Sequence, residues 1–156
     1  PFEDSRERRG SVKPKTILLI DDEQGFLEAL EDALVHEGYR VLKASTGEDA
    51  LAILAREHID LATVDVMMPP GASLEAETSS HRTGLYLCEQ IVKRYPKLDL
   101  FCLSVASDPD LIRQIQLLGV RFLRKGETPL RTVLNMMRSR LTGIAYSTER
   151  DGKGNW

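Results

Sequence analysis

Apolar residues along this chain fall into two patterns that alternate five times. The first is a short continuous run, Thr16-Ile17-Leu18-Leu19-Ile20, of the kind that makes a strand buried on both faces. The second follows directly. Phe26, Leu27, Leu30, Ala33 and Leu34 stand at i, i+1, i+4, i+7 and i+8, one apolar helical stripe that Gly38 stops as its C′ residue. Residues 40–44 form a shorter, more polar strand, which places it nearer a sheet edge. Thr46, with Asp49 three residues on in capping-box fashion, opens a helix carrying Ala50, Leu51, Ile53 and Leu54. Residues 59–66 read as the third strand. Leu85, Leu87, Cys88, Ile91 and Val92 give the third helix, ending before Pro96. Residues 98–103 give the fourth strand, which ends on Ser104. Asp108-Pro109 is an N-cap with proline at N1, and Leu111, Ile112, Ile115 and Leu118 follow as far as Gly119. Residues 120–123 form the fifth strand, running into Arg124-Lys125. Thr128-Pro129 repeats the cap-then-proline start for a stripe of Leu130, Val133, Leu134, Met137 and Leu141, stopped by Gly143. Five strands alternating with five amphipathic helices predict an α/β domain: a parallel sheet with helices on both faces, joined by right-handed crossovers. Spacing alone leaves the strand order open.

Three segments lack either period. Residues 1–14 are charged, poor in apolar residues and closed by proline, which predicts a flexible arm. Residues 70–83 turn small and polar, and their composition predicts a long loop without structure. Residues 144–156 form a polar tail. The folded unit is therefore expected over 15–143, with 70–83 as an insertion.

Composition adds boundaries. With 156 residues, 42% hydrophobic and 29% charged, the chain suits one soluble domain large enough to bury a core. A net charge of −3 supplies no global basic field for nucleic acid or a membrane surface. No apolar run approaches the ~18 residues of a membrane span. Cys88 and Cys102 lie in apolar segments without metal-ligand spacing and read as buried free thiols of a reducing, cytoplasmic setting. The first residue is proline, so the chain reads as trimmed or as part of something longer. No output module follows Thr142 within it, which leaves a domain that works by docking or one whose output module lies elsewhere.

In an open α/β sheet, ligands bind outside the carboxyl ends of the strands. Those ends read Asp21-Asp22, Asp65, Ser104 and Lys125. Singly, each has an ordinary explanation: a helix N-cap, a turn residue before proline, a satisfied hydroxyl, a solvated charge. Together they form a set. Three clustered carboxylates repel one another unless a cation joins them, and oxygen ligands with room for water suit Mg²⁺. A carboxylate attacking phosphorus needs the charge on the transferring oxygens neutralised, which a metal on one side and Lys125 on the other would provide. Ser104 could donate to a phosphoryl oxygen only after transfer, which makes it a sensor.

These residues carry a resemblance. Ile-Leu-Leu-Ile-Asp-Asp-Glu (17–23), Asp-Val-Met-Met-Pro (65–69), Leu-Ser (103–104) and Gly-Val-Arg-Phe-Leu-Arg-Lys (119–125) resemble the receiver domain of two-component response regulators. The resemblance implies a flavodoxin-like, doubly wound fold with strand order 2-1-3-4-5. It makes Asp65 the phosphoacceptor. Asp22 would bind Mg²⁺ directly and Asp21 largely through water, with the Met67 carbonyl also on the metal. Lys125 would contact the phosphoryl group, Ser104 would be the switch hydroxyl and Phe122 the switch aromatic. A sensor histidine kinase or histidine phosphotransfer protein would be the donor. The face of the fourth helix, fifth strand and fifth helix would serve an output domain, a docking partner or a homodimer, with no direct nucleic-acid binding and no membrane.

The chain departs from the family pattern in several places. The glycine that usually follows the acceptor by about eight positions corresponds to Gly84, so the loop carries about eleven extra residues that could shield the site, contact a partner or be disordered. Val105 stands where alanine is usual, and the larger side chain is expected to narrow access to Asp65. Gly126 replaces the usual proline, which argues against the cis peptide found there in the family. Phe122 lacks the hydroxyl of the commoner tyrosine and could report only by packing. His81 reads as an exposed loop residue. Two other readings compete: a receiver-like binding module that no longer switches by phosphorylation, and a Mg²⁺-dependent phosphohydrolase. The second lacks the Asp-x-Asp pattern of the haloacid dehalogenase family, since Asp21-Asp22-Glu23 stands in its place.

Overall fold

The computed structural model describes residues 13–106 and 108–143; the expected arm, apart from residues 13 and 14, and the expected tail lie outside the described residues, as do the side chains of Gln24 and Phe26. Strands β1 (Thr16–Ile20), β2 (Arg40–Ala44), β3 (Leu61–Val64), β4 (Asp99–Ser104) and β5 (Arg121–Arg124) form one parallel sheet in the order β2-β1-β3-β4-β5. Between them run α1 (Gln24–His36), α2 (Gly47–Arg56), α3 (Thr83–Arg94), α4 (Pro109–Leu117) and α5 (Leu130–Thr142). This is the expected flavodoxin-like arrangement.

The alternation within β1 builds both cores. Leu18 and Ile20 join α2, α3 and α4 through Ile53, Leu54, Leu87, Ile91 and Ile115. Ile17 and Leu19 face the other way, onto Leu27, Leu30 and Leu34 of α1 and Val133 and Met137 of α5. Successive strand side chains point to opposite faces, so a run apolar at every position fits only a strand covered on both. The more polar β2 is indeed an edge strand, with Arg40 and Lys43 exposed.

The helix ends follow the expected chemistry, with one exception. Thr46 Oγ1 accepts from the Asp49 N–H at 3.1 Å, and Asp108 accepts from the N–H groups of Asp110 and Leu111. Gly38 and Gly143 adopt φ of +94° and +71°, the left-handed ends that glycine permits. Thr128, however, does not cap α5. Its N–H donates to the Arg124 carbonyl in the turn leaving β5, so the helix starts one residue later, with Pro129 at the N-cap position and Leu130 at N1.

The insertion departs most from expectation, because it has a fixed course. The Pro69 and Pro70 carbonyls accept from the N–H groups of Gly47 and Glu48, two orphan donors at the start of α2. A 3₁₀ turn over Ala72–Leu74 then buries Leu74 beside Gly47. Met68 N–H donates to the Ser80 carbonyl, and Arg82 reaches Gln114 of α4 at 3.2 Å. The segment is polar and aperiodic, yet one buried leucine and the unsatisfied end of α2 hold it down. His81 is exposed, as expected.

Cys88 and Cys102 are free and buried. Burial pushes the Cys88 thiol up to about 12, with Glu89 adding to the effect, and raises Cys102 well above the usual thiol range. Both should resist alkylation in the native protein and react once it is unfolded, as a thiol titration with and without denaturant would read. Each thiol ionises more readily in the unfolded chain, so the unfolded state binds fewer protons at high pH. The stability this contributes is complete below about pH 8.5 and is lost as pH rises towards the folded values.

Candidate functional site

The register of the sheet brings the strand ends together. β1 pairs with β3 so that Ile20 lies beside Val64, and β3 pairs with β4 so that Val64 lies beside Cys102. One residue past Ile20 and Val64 come Asp21 and Asp65, while Ser104 closes β4 and Lys125 follows β5 directly. Asp65 N–H donates to the Ile20 carbonyl and Lys125 N–H to the Ser104 carbonyl, both at about 3 Å. The backbones that carry the charged groups are therefore tied to the sheet.

Carboxylate oxygens of Asp21, Asp22 and Asp65 all lie within 4.8 Å of one another. Asp21 and Asp65 are buried, and Asp22 is exposed. The Lys125 ammonium meets Asp21 Oδ2 in close contact, Glu23 Oε2 at 3.1 Å and Asp65 Oδ2 at 3.2 Å. Ser104 Oγ donates to Asp65 Oδ1 at 2.7 Å and accepts from the Ala106 N–H. The Met67 N–H also approaches Asp65 Oδ1, at 3.4 Å. A buried carboxylate costs free energy unless its oxygens are bonded, and each Asp65 oxygen has a donor here.

Burial pushes the Asp21 carboxyl up to about 6, despite opposing hydrogen bonds from Lys125 and the Glu23 N–H; the nearby Asp65 charge adds to the rise. Burial would depress the Lys125 ammonium, but the hydrogen bond to Asp21 and the fields of Asp65 and Asp21 outweigh it and hold the group above its ordinary value. Lys125 is charged at any physiological pH.

The donor set suits a divalent cation. Three carboxylates sharing one ammonium leave net negative charge in a partly buried pocket, and hard oxygen ligands prefer ions such as Mg²⁺. Asp21, Asp22 and Asp65 are the residues that would hold it.

Some expected site residues lie apart from this cluster or behave differently. Phe122 sits on β5, half-buried against the core of the α2–α4 side, with the Arg124 guanidinium 6.0 Å from its ring centre. Val105 is 65% exposed at the end of β4. Ser104 donates to the unmodified Asp65 carboxylate in this structure, because the buried Asp65 Oδ1 needs a donor. No peptide bond among the described residues is cis, and Gly126 turns at φ +83° instead.

Sequence reasoning misses two contributions. Glu23 reads as the tail of an acidic run, and only its position next to Asp21-Asp22 hints that it reaches Lys125. Gly84 reads as a landmark of the family pattern, with no physical reason attached. A Cβ there would lie 2.8 Å from the Asp65 carbonyl carbon and nearer still to the Asp65 oxygen and Val66 Cα. The start of α3 thus packs directly on the backbone of Asp65 and Val66.

Comparison with known proteins agrees with this fold. The family model described as response regulator receiver domain matches residues 17–135. The response regulator GtcR of Aneurinibacillus migulanus is 34% identical over 120 residues, which cover 76% of this chain and 45% of GtcR. The transcriptional regulatory protein GlrR of Escherichia coli K12 is 33% identical over 116 residues, 74% of this chain and 24% of GlrR. The chain thus spans less than half the length of these relatives. Among solved structures, a CheY-like receiver domain protein from Methanospirillum hungatei superposes with a TM-score of 0.71 at 23% identity, covering 84% of this chain and 96% of that one. A Burkholderia pseudomallei response regulator, crystallised with a phosphorylated aspartic acid and a calcium ion, superposes with a TM-score of 0.64 at 22% identity over 83% of this chain and 69% of that one. Strand order, converging strand ends and matched sequence lead to one assignment: the chain belongs to the receiver-domain family of two-component response regulators.

Proposed function

We propose that residues 15–143 form a phosphoacceptor receiver, in which Asp65 takes a phosphoryl group from a phosphohistidine donor and the resulting charge switches a docking face. The observation that carries this reading is the meeting of Asp21, Asp22, Asp65, Ser104 and Lys125 at one end of the sheet. In the transfer an Asp65 oxygen bonds to phosphorus as the phosphorus–nitrogen bond to the donor imidazole breaks. The imidazole leaves with the electron pair and is neutralised by a proton. Asp21, Asp22 and Asp65, with the Met67 carbonyl as a further ligand, would hold a divalent cation, which would supply charge neutralisation on the phosphoryl oxygens. Lys125 leaves Asp65 for a phosphoryl oxygen, and Ser104 exchanges its bond to Asp65 Oδ1 for another. Turnover on external substrates plays no part in this scheme.

The acyl phosphate at Asp65 carries roughly −1.5 to −2 charges, where the carboxylate carried a single one, and adds three acceptor oxygens. β4 and β5 pair with Cys102 beside Phe122 and Ser104 beside Arg124, and a depression of about 580 Å³ lies beside the Phe122 ring, lined by Ile112, Gln116, Arg124 and Thr128. An output module, a docking partner or a second copy would bind this face. A histidine kinase or histidine phosphotransfer protein would be the donor, in the cytoplasm; no helix among the described residues is long and apolar enough to cross a membrane.

Intact-mass measurement after incubation with Mg²⁺ and a small acyl phosphate tests the reading. One phosphoryl group should be gained, and chelating the metal with EDTA should prevent the gain. A protein that stays unmodified with Mg²⁺ present would instead support the non-switching module.

A further inference from the structure

We infer that Glu23 is a specificity-determining residue of the proposed phosphoacceptor site, an anionic guard on Lys125 that disfavours small anionic phosphodonors. The inference rests on the reading of Asp65 and Lys125 given above.

An ammonium has three N–H donors, and that of Lys125 faces three carboxylates: Asp21, Asp65 and Glu23. They differ in where they stand. The side chains of Asp21 and Asp65 are 4% and 7% exposed, whereas that of Glu23 is 60% exposed. Lys125 itself is only 4% exposed. Glu23 therefore occupies the solvent side of the ammonium, where an incoming phosphoryl group would make its first contact. An anionic donor must displace Glu23 from Lys125 and approach against its charge.

The backbone and side chain of Glu23 have separate duties. Its N–H donates to Asp21 Oδ1 at 2.8 Å and fixes the turn after β1. That bond survives any substitution of the side chain except proline. The Glu23→Gln change thus removes the charge and leaves the turn in place. A like charge a few ångströms from a dianion, partly in solvent, alters its binding by about three- to tenfold at low ionic strength, and salt screens the effect.

The test compares wild type with Glu23→Gln and Glu23→Ala in two measurements, each in low and in high salt. In the first, phosphorylation by acetyl phosphate with Mg²⁺ is followed over a range of donor concentrations. Both variants should lower the half-saturating donor concentration about three- to tenfold at low salt, with little change in the maximal rate, and the difference should shrink at high salt. In the second, inorganic phosphate is titrated into the same proteins and the chemical shifts of residues 21–23 and 125 are followed. It should bind more tightly to the variants by a similar factor. Unchanged or weaker phosphate binding in the variants overturns the inference. If wild type accepts no phosphoryl group, the phosphoacceptor reading fails, while the phosphate titration still decides the part assigned to Glu23.

Discussion

Asp65→Asn should take up no phosphoryl group under conditions that modify the wild type fully, and it should do so without unfolding. The amide oxygen is a poor nucleophile, so the step that forms the oxygen–phosphorus bond is lost. The fold is spared for an electrostatic reason. Asp65 stands within 4.8 Å of two other carboxylates, and removing its charge relieves repulsion. Lys125 keeps Asp21 and Glu23 as partners, and the amide oxygen can still accept from Ser104. Thermal unfolding without metal should therefore be nearly unchanged or slightly raised. Removing the cation of the set has the opposite consequence. Lys125→Ala leaves buried carboxylates facing one another with no ammonium between them, which should cost about 3 kcal/mol or more. Combining it with Asp65→Asn should recover part of that loss, and a double-mutant cycle by denaturant unfolding measures the coupling. Equal destabilisation by the two single changes, or phosphoryl uptake that persists in Asp65→Asn, would break the account of the site.

The second large effect is expected at a residue with no side chain. In Gly84→Ala the new methyl group would stand inside contact distance of the Asp65 carbonyl and the Val66 Cα. These are backbone atoms at the end of a buried strand, so no rotamer change makes room. Either α3 moves away from β3 or the loop after β3 moves, and overpacking of this kind costs roughly 3 kcal/mol or more. A fall of roughly 10 °C in Tm follows for a domain of this size. Because the displaced carbonyl belongs to Asp65, phosphoryl uptake should fall along with stability. Gly25 is the control. It lies in α1, and a methyl group added there would meet nothing within 4 Å, so Gly25→Ala should stabilise by about 0.5–1 kcal/mol through helix propensity. A mild effect at Gly84 would show that the loop after β3 yields more easily than its packing implies.

Local pattern along the chain was enough to place the elements and to name the candidate chemistry. β1 is apolar at every position after Thr16, and such a run is stable only when helices cover both faces, so the layer architecture was already written in Thr16–Ile20. The caps at Thr46 and Asp108 and the left-handed glycines were legible because they act within a few residues of chain. The carboxylates, hydroxyl and lysine could be named from the strand ends because parallel strands deliver all their carboxyl ends to one side. Features that depend on residues distant in sequence emerge only from the packed fold. Glu23 meets Lys125 across 102 positions, and no local pattern encodes that contact. The aperiodic insertion is held by Leu74 against α2 and by the orphan N–H groups of Gly47 and Glu48, partners that become visible only once α2 stands beside it. Gly84 must be glycine because of a backbone approach created by packing α3 on β3. Periodicity records which face of an element is buried; which atoms press on that face is settled only when the elements meet.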